Sequence, residues 1–121
     1  MKNKKTLVLG ASANPSRYSY LALQQLHSKG HDVVAVGLKK GEVEGIQIQT
    51  DRPEIDELDT VTLYLNANNQ KQYYDYILSQ NPKRIIFNPG AENEELEKLA
   101  KEKGIFPQEA CTLVLLSTGQ Y

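Results

Sequence analysis

The chain has 121 residues, of which 40% are hydrophobic and 24% are charged. This length and composition predict one compact domain over residues 1–121, with enough apolar surface for a core without disulfides or structural metal. The 14 Lys and Arg residues against 15 Asp and Glu residues give a formal charge of -1, which provides no overall attraction for nucleic acid or for an anionic membrane. Any anion site must therefore be local.

The single cysteine, Cys111, cannot form an internal disulfide, and with His27 and His31 it shows no zinc-ligand spacing. We therefore expect no metal site, and we expect a reducing, cytoplasmic location. The basic amino-terminal run at residues 1–5 precedes an apolar stretch, residues 7–9, that is too short for the core of a signal peptide or for a membrane span. The protein is expected to be neither exported nor anchored.

Short apolar runs rich in Val and Ile alternate with longer segments of helical period, the pattern of βα units around a parallel sheet. The runs predict five strands: Thr6–Gly10, Val33–Leu38, Thr60–Leu65, Arg84–Asn88 and Ile105–Pro107. Because most runs are continuously hydrophobic rather than alternating, helices should cover both faces of the sheet. The sequence thus predicts an α/β fold with a single doubly wound, mainly parallel five-stranded sheet.

Three helices are predicted between the strands. The first begins at Pro15 or Ser16 and ends at Gly30, and the third runs over residues 92 to about 103. The second ends at Asn81-Pro82, because proline cannot continue the helical hydrogen bonding. The side chains expected to face the core recur at helical spacing: Tyr18, Ala22, Leu23 and Leu26, then Tyr73, Tyr74, Ile77 and Leu78, then Leu96, Leu99 and Ala100.

Two segments are less regular. Residues 39–53 contain two glycines and the alternation Ile46-Gln47-Ile48, which predicts a loop with a short extended piece and a turn of helix. Residues 111–117 are apolar enough for a strand or a buried helix. We favour a helix there, because Gly119 would cap it.

In an open α/β sheet, ligands bind beyond the carboxyl ends of the strands. After the first strand, Gly10-Ala11-Ser12-Ala13-Asn14 combines small residues with a helix start, so its backbone N–H groups can turn toward a phosphate. Ser12 replaces the second glycine of a G-x-G-x-x-G dinucleotide motif, and no P-loop Gly-Lys-Ser/Thr follows. Arg17 adds a charge-assisted donor at the helix start, where a cation is unfavourable unless an anion is present. The alternative is a tight turn with a solvated Arg17.

Lys39 and Lys40 follow the second strand, where a site for NAD usually has Asp or Glu. They favour a phosphorylated ribose, which NADP and coenzyme A both carry. Amide and turn residues follow the next two strands, and amides recognise ligands without titrating. The predicted binding residues are Gly10, Ala11, Ser12, Asn14, Arg17, Lys39, Lys40, Asn66, Asn88, Pro89 and Gly90.

Gly10-Ala11-Ser12, the pattern P-x-R-x-S-Y at residues 15–20, Gly30-His31 and Lys39 are similar to the small stand-alone CoA-binding domain proteins. That family's Rossmann-like fold resembles the amino-terminal domain of the succinyl-CoA synthetase alpha subunit. The resemblance implies that the Gly-Ala-Ser turn and Arg17 lie against the pyrophosphate of the coenzyme, and Lys39 near its phosphorylated ribose. Relatives often have proline around residues 35–38, so the shape of the adenosine pocket is left open. Ligase activity is not implied, because the synthetase's phosphohistidine domain has no counterpart.

We therefore expect a domain that binds coenzyme A or an acyl-CoA, with a small-molecule ligand and no nucleic-acid or membrane partner. No catalytic residue can be assigned, and whether the protein is an enzyme or a homo-oligomer stays open. Two alternatives are an NADP-linked oxidoreductase that uses the same loop, and a structural or regulatory subunit with a vestigial nucleotide cleft.

Overall fold

A computed structural model describes residues 3–121, so the first two residues of the basic amino-terminal run lie outside the described range. The strands are β1 Thr6–Leu9, β2 Val33–Val36, β3 Gly41–Val43, β4 Ile46–Gln49, β5 Thr60–Leu63, β6 Arg84–Phe87 and β7 Phe106–Glu109. The helices are α1 Tyr18–Ser28, α2 Ala67–Gln70, α3 Tyr74–Ser79, α4 Glu94–Glu102 and α5 Thr112–Ser117, with a 3-10 turn at Lys71–Tyr73 between α2 and α3.

The strands form one sheet in the order β3-β4-β2-β1-β5-β6-β7. Every neighbouring pair is parallel except β3 and β4, which are antiparallel. β1 lies between β2 and β5, so the chain order reverses there, as it does at the ligand-binding point of doubly wound sheets. The predicted α/β class with a mainly parallel sheet is confirmed.

The predicted count of five strands is wrong, because the segment interpreted as a loop forms the hairpin β3–β4. Its turn, Glu44-Gly45, has φ angles of 52° and 82°, the two positive values that a tight hairpin turn requires. β4 then adds to β2 in parallel, with Ala35 beside Ile48. Strands of three and four residues with polar Glu42 and Gln47 are too short to give a clear strand pattern in the sequence.

The helices differ from the prediction mainly at their ends. α1 begins at Tyr18 and not at Pro15 or Ser16, because the Arg17 N–H donates to Asn14 O at 3.0 Å and closes a turn before the helix. Tyr18 is 73% exposed, so its predicted core position is wrong. The second helix is divided into α2, the 3-10 turn and α3, and β7 begins and ends later than predicted. Residues 112–117 are helical, as predicted, and Gly119 follows with a φ of 72°.

Helices cover both faces of the sheet, as the continuous apolar strands predicted. On one face, α3 and α4 pack over Leu7 and Leu9 of β1, and on the other, α1 and α5 pack over Val8. Successive residues of β1 thus point into different core clusters, because side chains alternate across a strand. Among residues 3–121, the helices are too short or too polar to cross a membrane. The cytoplasmic location stays a prediction.

Candidate functional site

A cavity of about 910 Å³ lies at the carboxyl edge of the sheet, above the ends of β2, β1, β5 and β6. Four chain segments form its walls: the β1–α1 loop with the first residues of α1, residues 38–40 after β2, the segment around Asn66 after β5, and residues 89–91 after β6. The cavity therefore spans the point where the chain order reverses, which is the place predicted for a ligand.

Ten of the eleven predicted binding residues line this cavity: Gly10, Ala11, Ser12, Asn14, Arg17, Lys39, Lys40, Asn66, Pro89 and Gly90. The structure places the other one, Asn88, beneath the cavity and not in its wall. The Asn88 amide is buried, where its Nδ2 donates to Thr62 Oγ1 at 2.7 Å and to Leu63 O at 2.8 Å, and its Oδ1 accepts from the Thr112 N–H at 2.9 Å. It joins β5, β6 and α5, which leaves no amide atom for a ligand.

The first two N–H groups of the β1–α1 loop are used within the protein. The N–H groups of Gly10 and Ala11 both donate to Val36 O, at 2.9 and 3.0 Å, and tie the loop to β2. Further along, the Asn14 N–H donates to Ser12 Oγ at 3.0 Å. These bonds hold the loop in shape, but they remove the Gly-Ala part of the turn from the set of donors available to a phosphate.

Four later N–H groups have no acceptor among residues 3–121: those of Ser12, Ala13, Tyr18 and Ser19. The last two open α1, whose N-cap residue, Arg17, has an extended backbone and makes no side-chain cap. Ser19 is 4% exposed and lines the cavity, and its hydroxyl has no hydrogen-bond partner in the described part of the chain. Free N–H groups at a helix start attract anions, because they carry the positive end of the helix dipole.

Two glycines outside the predicted set of binding residues allow this loop to pack closely on its neighbours. A Cβ on Gly37, directly after β2, would overlap the Ala11 carbonyl oxygen, and one on Gly41 would lie 2.9 Å from the Ala13 Cβ. The β1–α1 loop therefore packs directly on the backbone after β2 and on the β3–β4 hairpin. A glycine just before Leu38-Lys39 was the available signal, because glycine in such a place often marks a close backbone approach.

The cavity is electrostatically uneven. Its basic half contains Arg17, Lys39 and Lys40, and the part of the wall within residues 3–121 contains no carboxylate. The two apolar side chains Tyr18 and Leu38, 73% and 82% exposed, lie on this same half. A large apolar side chain exposed at the edge of a cavity is a common contact for a ligand ring.

The other half, beyond the ends of β5 and β6, is uncharged. It is lined by Leu63, Tyr64, Leu65, Asn66, Asn69, Pro89, Gly90 and Ala91. Asn66 is the N-cap residue of α2, and its Oδ1 accepts from the Asn69 N–H at 2.9 Å. Burial raises the pKa of Tyr64, so its phenol is neutral at ordinary pH. Charged phosphates therefore fit the first half of the cavity, and a neutral polar chain fits this one.

Cys111 and the two histidines lie outside this wall. Cys111 is the residue before α5 and is half-buried. His31 is buried against the opposite edge of the sheet, where its Nδ1 accepts from the Lys4 N–H at 2.9 Å. No role in the cavity was predicted for either histidine, and none follows from the geometry.

A family model described as a CoA binding domain matches residues 4–117. The chain belongs to this CoA-binding domain family. The match covers every segment that forms the cavity, so the Rossmann-like CoA-binding fold expected from the Gly-Ala-Ser turn is confirmed. No curated protein matches the chain.

Solved structures share the fold of this CoA-binding domain. A crystal structure of an uncharacterized protein is 55% identical over 100% of both chains, with a TM-score of 0.97. A hypothetical protein from Pyrococcus horikoshii OT3 is 25% identical over 97% of this chain and 84% of its own, with a TM-score of 0.86. A dinucleotide-forming acetyl-coenzyme A synthetase from Ca. Korarchaeum cryptofilum is 21% identical over 87% of this chain and 25% of its own, with a TM-score of 0.68, and supports the fold alone.

Proposed function

We propose that this CoA-binding domain binds coenzyme A or an acyl-CoA in the cavity, with the diphosphate on the β1–α1 loop. The observation that carries the proposal is the set of unpartnered donors on one wall. The N–H groups of Ser12, Ala13, Tyr18 and Ser19 and the hydroxyl of Ser19 belong to residues that line the same cavity as Arg17. An anion in this place would satisfy donors that the protein leaves free.

The remaining parts of the coenzyme match the two halves of the cavity. Lys39 and Lys40 would bind the phosphorylated ribose, because lysine is a mobile cation that suits an exposed phosphate. Tyr18 and Leu38 would pack on the base. The uncharged half would hold the neutral pantetheine arm, whose amide groups can pair with Asn66 and Asn69. This division favours a ligand with phosphates at one end and a neutral chain at the other.

The proposed activity is recognition and not catalysis. Apart from tyrosines, the ionisable side chains of the described wall are Arg17, Lys39 and Lys40, whose basic groups suit the binding of phosphates. A domain of this kind would present its ligand to another protein or hold it in reserve. The competing hypothesis is that the protein is a regulatory or structural subunit with an empty cleft. That hypothesis predicts that no nucleotide changes the free energy of unfolding.

Titration calorimetry with coenzyme A tests the proposal, and Arg17→Ala is the informative variant. The loss of a charge-assisted hydrogen bond should weaken binding by about 1 to 3 kcal/mol, or about 5- to 150-fold. Arg52→Ala is the matched control, because it removes the same charge from a residue that donates to Gln72 O and does not line the cavity. Unchanged affinity in Arg17→Ala would remove Arg17 from the site.

A thermal-shift comparison of coenzyme A, NADPH and NADH tests the choice of ligand. A ligand at a hundred times its Kd should add about 2.7 kcal/mol to the free energy of unfolding. Stabilisation by NADPH without stabilisation by coenzyme A would contradict the proposal, and no effect of any of the three would favour the empty cleft.

A further inference from the structure

The end of α2 carries a polar side chain that is fully buried. Gln70 is 0% exposed, and its Nε2 donates to Leu65 O at 2.8 Å and to Ala91 O at 2.8 Å. Its Oε1 accepts from Asn93 Nδ2, also at 2.8 Å. Both amide protons and one acceptor position of Gln70 are thus used. A glutamine buried this completely needs all of these bonds, since each lost partner would leave a buried polar group unsatisfied.

The two carbonyls that Gln70 binds belong to two different chain segments that line the uncharged half of the cavity. Leu65 follows β5 and Ala91 follows β6, and both line the cavity. Among residues 3–121, the Gln70 side chain is the only hydrogen-bonded link between residues 65–66 and residues 89–91. Within the segment after β6, Pro89 has no N–H, the Gly90 N–H donates to Glu92 Oε1 at 2.9 Å, and the Ala91 N–H donates to Asn88 O at 2.8 Å. These local bonds hold the segment to β6, whereas its distance from residues 65–66 depends on Gln70.

The basic half of the cavity is held by different bonds. The Gly10 and Ala11 N–H groups donate to Val36 O, and the loop packs on Gly37 and Gly41. None of these contacts involves α2 or the residues after β6. A change confined to Gln70 should therefore alter one half of the cavity and leave the other half as it is.

We propose that Gln70 is a positioning residue that sets the width of the uncharged half of the cavity, and so sets the affinity for a neutral, amide-bearing chain attached to a nucleotide. The inference rests on the proposed function, because it assumes that such a ligand occupies the cavity. Without the amide, the Leu65 and Ala91 carbonyls would be buried without a partner, and the walls would separate to admit water.

The test compares two ligands by titration calorimetry. Coenzyme A fills both halves, whereas adenosine 3′,5′-bisphosphate has the phosphorylated ribose and lacks the neutral arm. Gln70→Met keeps the length of the side chain and removes its hydrogen bonds. It should weaken coenzyme A about tenfold, while the affinity for the bisphosphate stays within about twofold. Gln72→Met is the matched control, because the exposed Gln72 lies outside the wall, and both affinities should be unchanged.

Gln70→Asn provides a second variant if Gln70→Met does not fold. Its amide remains polar but is one methylene too short to reach both carbonyls, so the ratio of the two affinities should shift in the same direction. Equal weakening of both ligands in the folded variant, or no change in either, would overturn the positioning role. Wild-type protein that fails to bind coenzyme A would instead refute the proposed function itself.

Discussion

Gly37→Ala tests whether the close packing behind the β1–α1 loop shapes the anion site. The φ of Gly37 lies outside the left-handed region, so alanine is allowed by the backbone and its effect would be steric. The new Cβ would overlap the Ala11 carbonyl oxygen, and it would also lie 3.2 Å from the Ala11 carbonyl carbon and 3.3 Å from Ile48 Cγ2. Relief requires the loop to move by about 1 Å, because normal contact distances between carbon atoms are about 3.5 Å or more.

Two effects should follow from that movement. Overpacking of this size costs about 1 to 3 kcal/mol of the free energy of unfolding. The free N–H groups of Ser12 and Ala13 directly follow Ala11, so the same shift should weaken coenzyme A about tenfold, as donors to a phosphate lose their alignment. Urea unfolding measures the first effect, and titration calorimetry measures the second.

Gly45→Ala is the control for these measurements. Gly45 has a φ of 82° and open space around its Cβ position, so alanine there adds backbone strain of about 1 to 2 kcal/mol without touching the loop. It should lower stability and leave the affinity for coenzyme A unchanged. A Gly37→Ala protein with wild-type stability and wild-type affinity would show that the contact with Ala11 does not shape the site.

Three further substitutions separate stability from binding. Burial, and after it the charge of Lys4, lowers the pKa of His31 from 6.5, so the native state binds fewer protons than the unfolded state. The contribution of His31 to the free energy of unfolding should therefore be fully present above about pH 6.5 and decrease at lower pH. His31→Gln should reduce this pH dependence in urea titrations between about pH 5 and 8. Asn88→Ala should lower the free energy of unfolding by about 2 to 4 kcal/mol in urea, because it leaves the Thr112 N–H buried and unpaired. The affinity of the folded variant for coenzyme A should change little, and a large loss of affinity would place Asn88 in the site. Leu38→Ser should affect binding and not stability: the free energy of unfolding should stay within about 0.5 kcal/mol of the wild-type value, and the affinity for coenzyme A should fall several-fold in calorimetry. Unchanged affinity would exclude the packing of Leu38 on the base.

The sequence was sufficient for the central part of the sheet and for the location of the cavity. β1, β2, β5 and β6 are short runs rich in apolar residues and mostly buried, so their pattern is strong, whereas their order in the sheet comes from the structure. The β3–β4 hairpin was missed, because its identity depends on a tight turn at Glu44-Gly45 and on pairing with β2. Such a contact between distant segments leaves little trace in local periodicity.

The sequence predicts which residues line the cavity best where their place after a strand determines accessibility. Lys39, Lys40 and Asn66 follow strands at the carboxyl edge, and all three line the cavity. Asn88 occupies an equivalent place, but its side chain turns inward toward Thr62 and Thr112. No rule of spacing distinguishes an amide that faces a ligand from one that joins two strands, because the difference lies in the partners available in three dimensions.

Within the Gly-Ala-Ser turn, only the Ser12 N–H is free, and the other free donors lie later in the loop and at the start of α1. A glycine with a φ of 93° at position 10 lets the chain bend sharply over β2, and that bend brings the Gly10 and Ala11 N–H groups onto Val36 O. The bend therefore uses two donors for structure and leaves the next ones, at Ser12 and Ala13, without an acceptor among residues 3–121. The glycine would then support the anion site through the backbone path it permits, and the donors that contact a phosphate would belong to its neighbours.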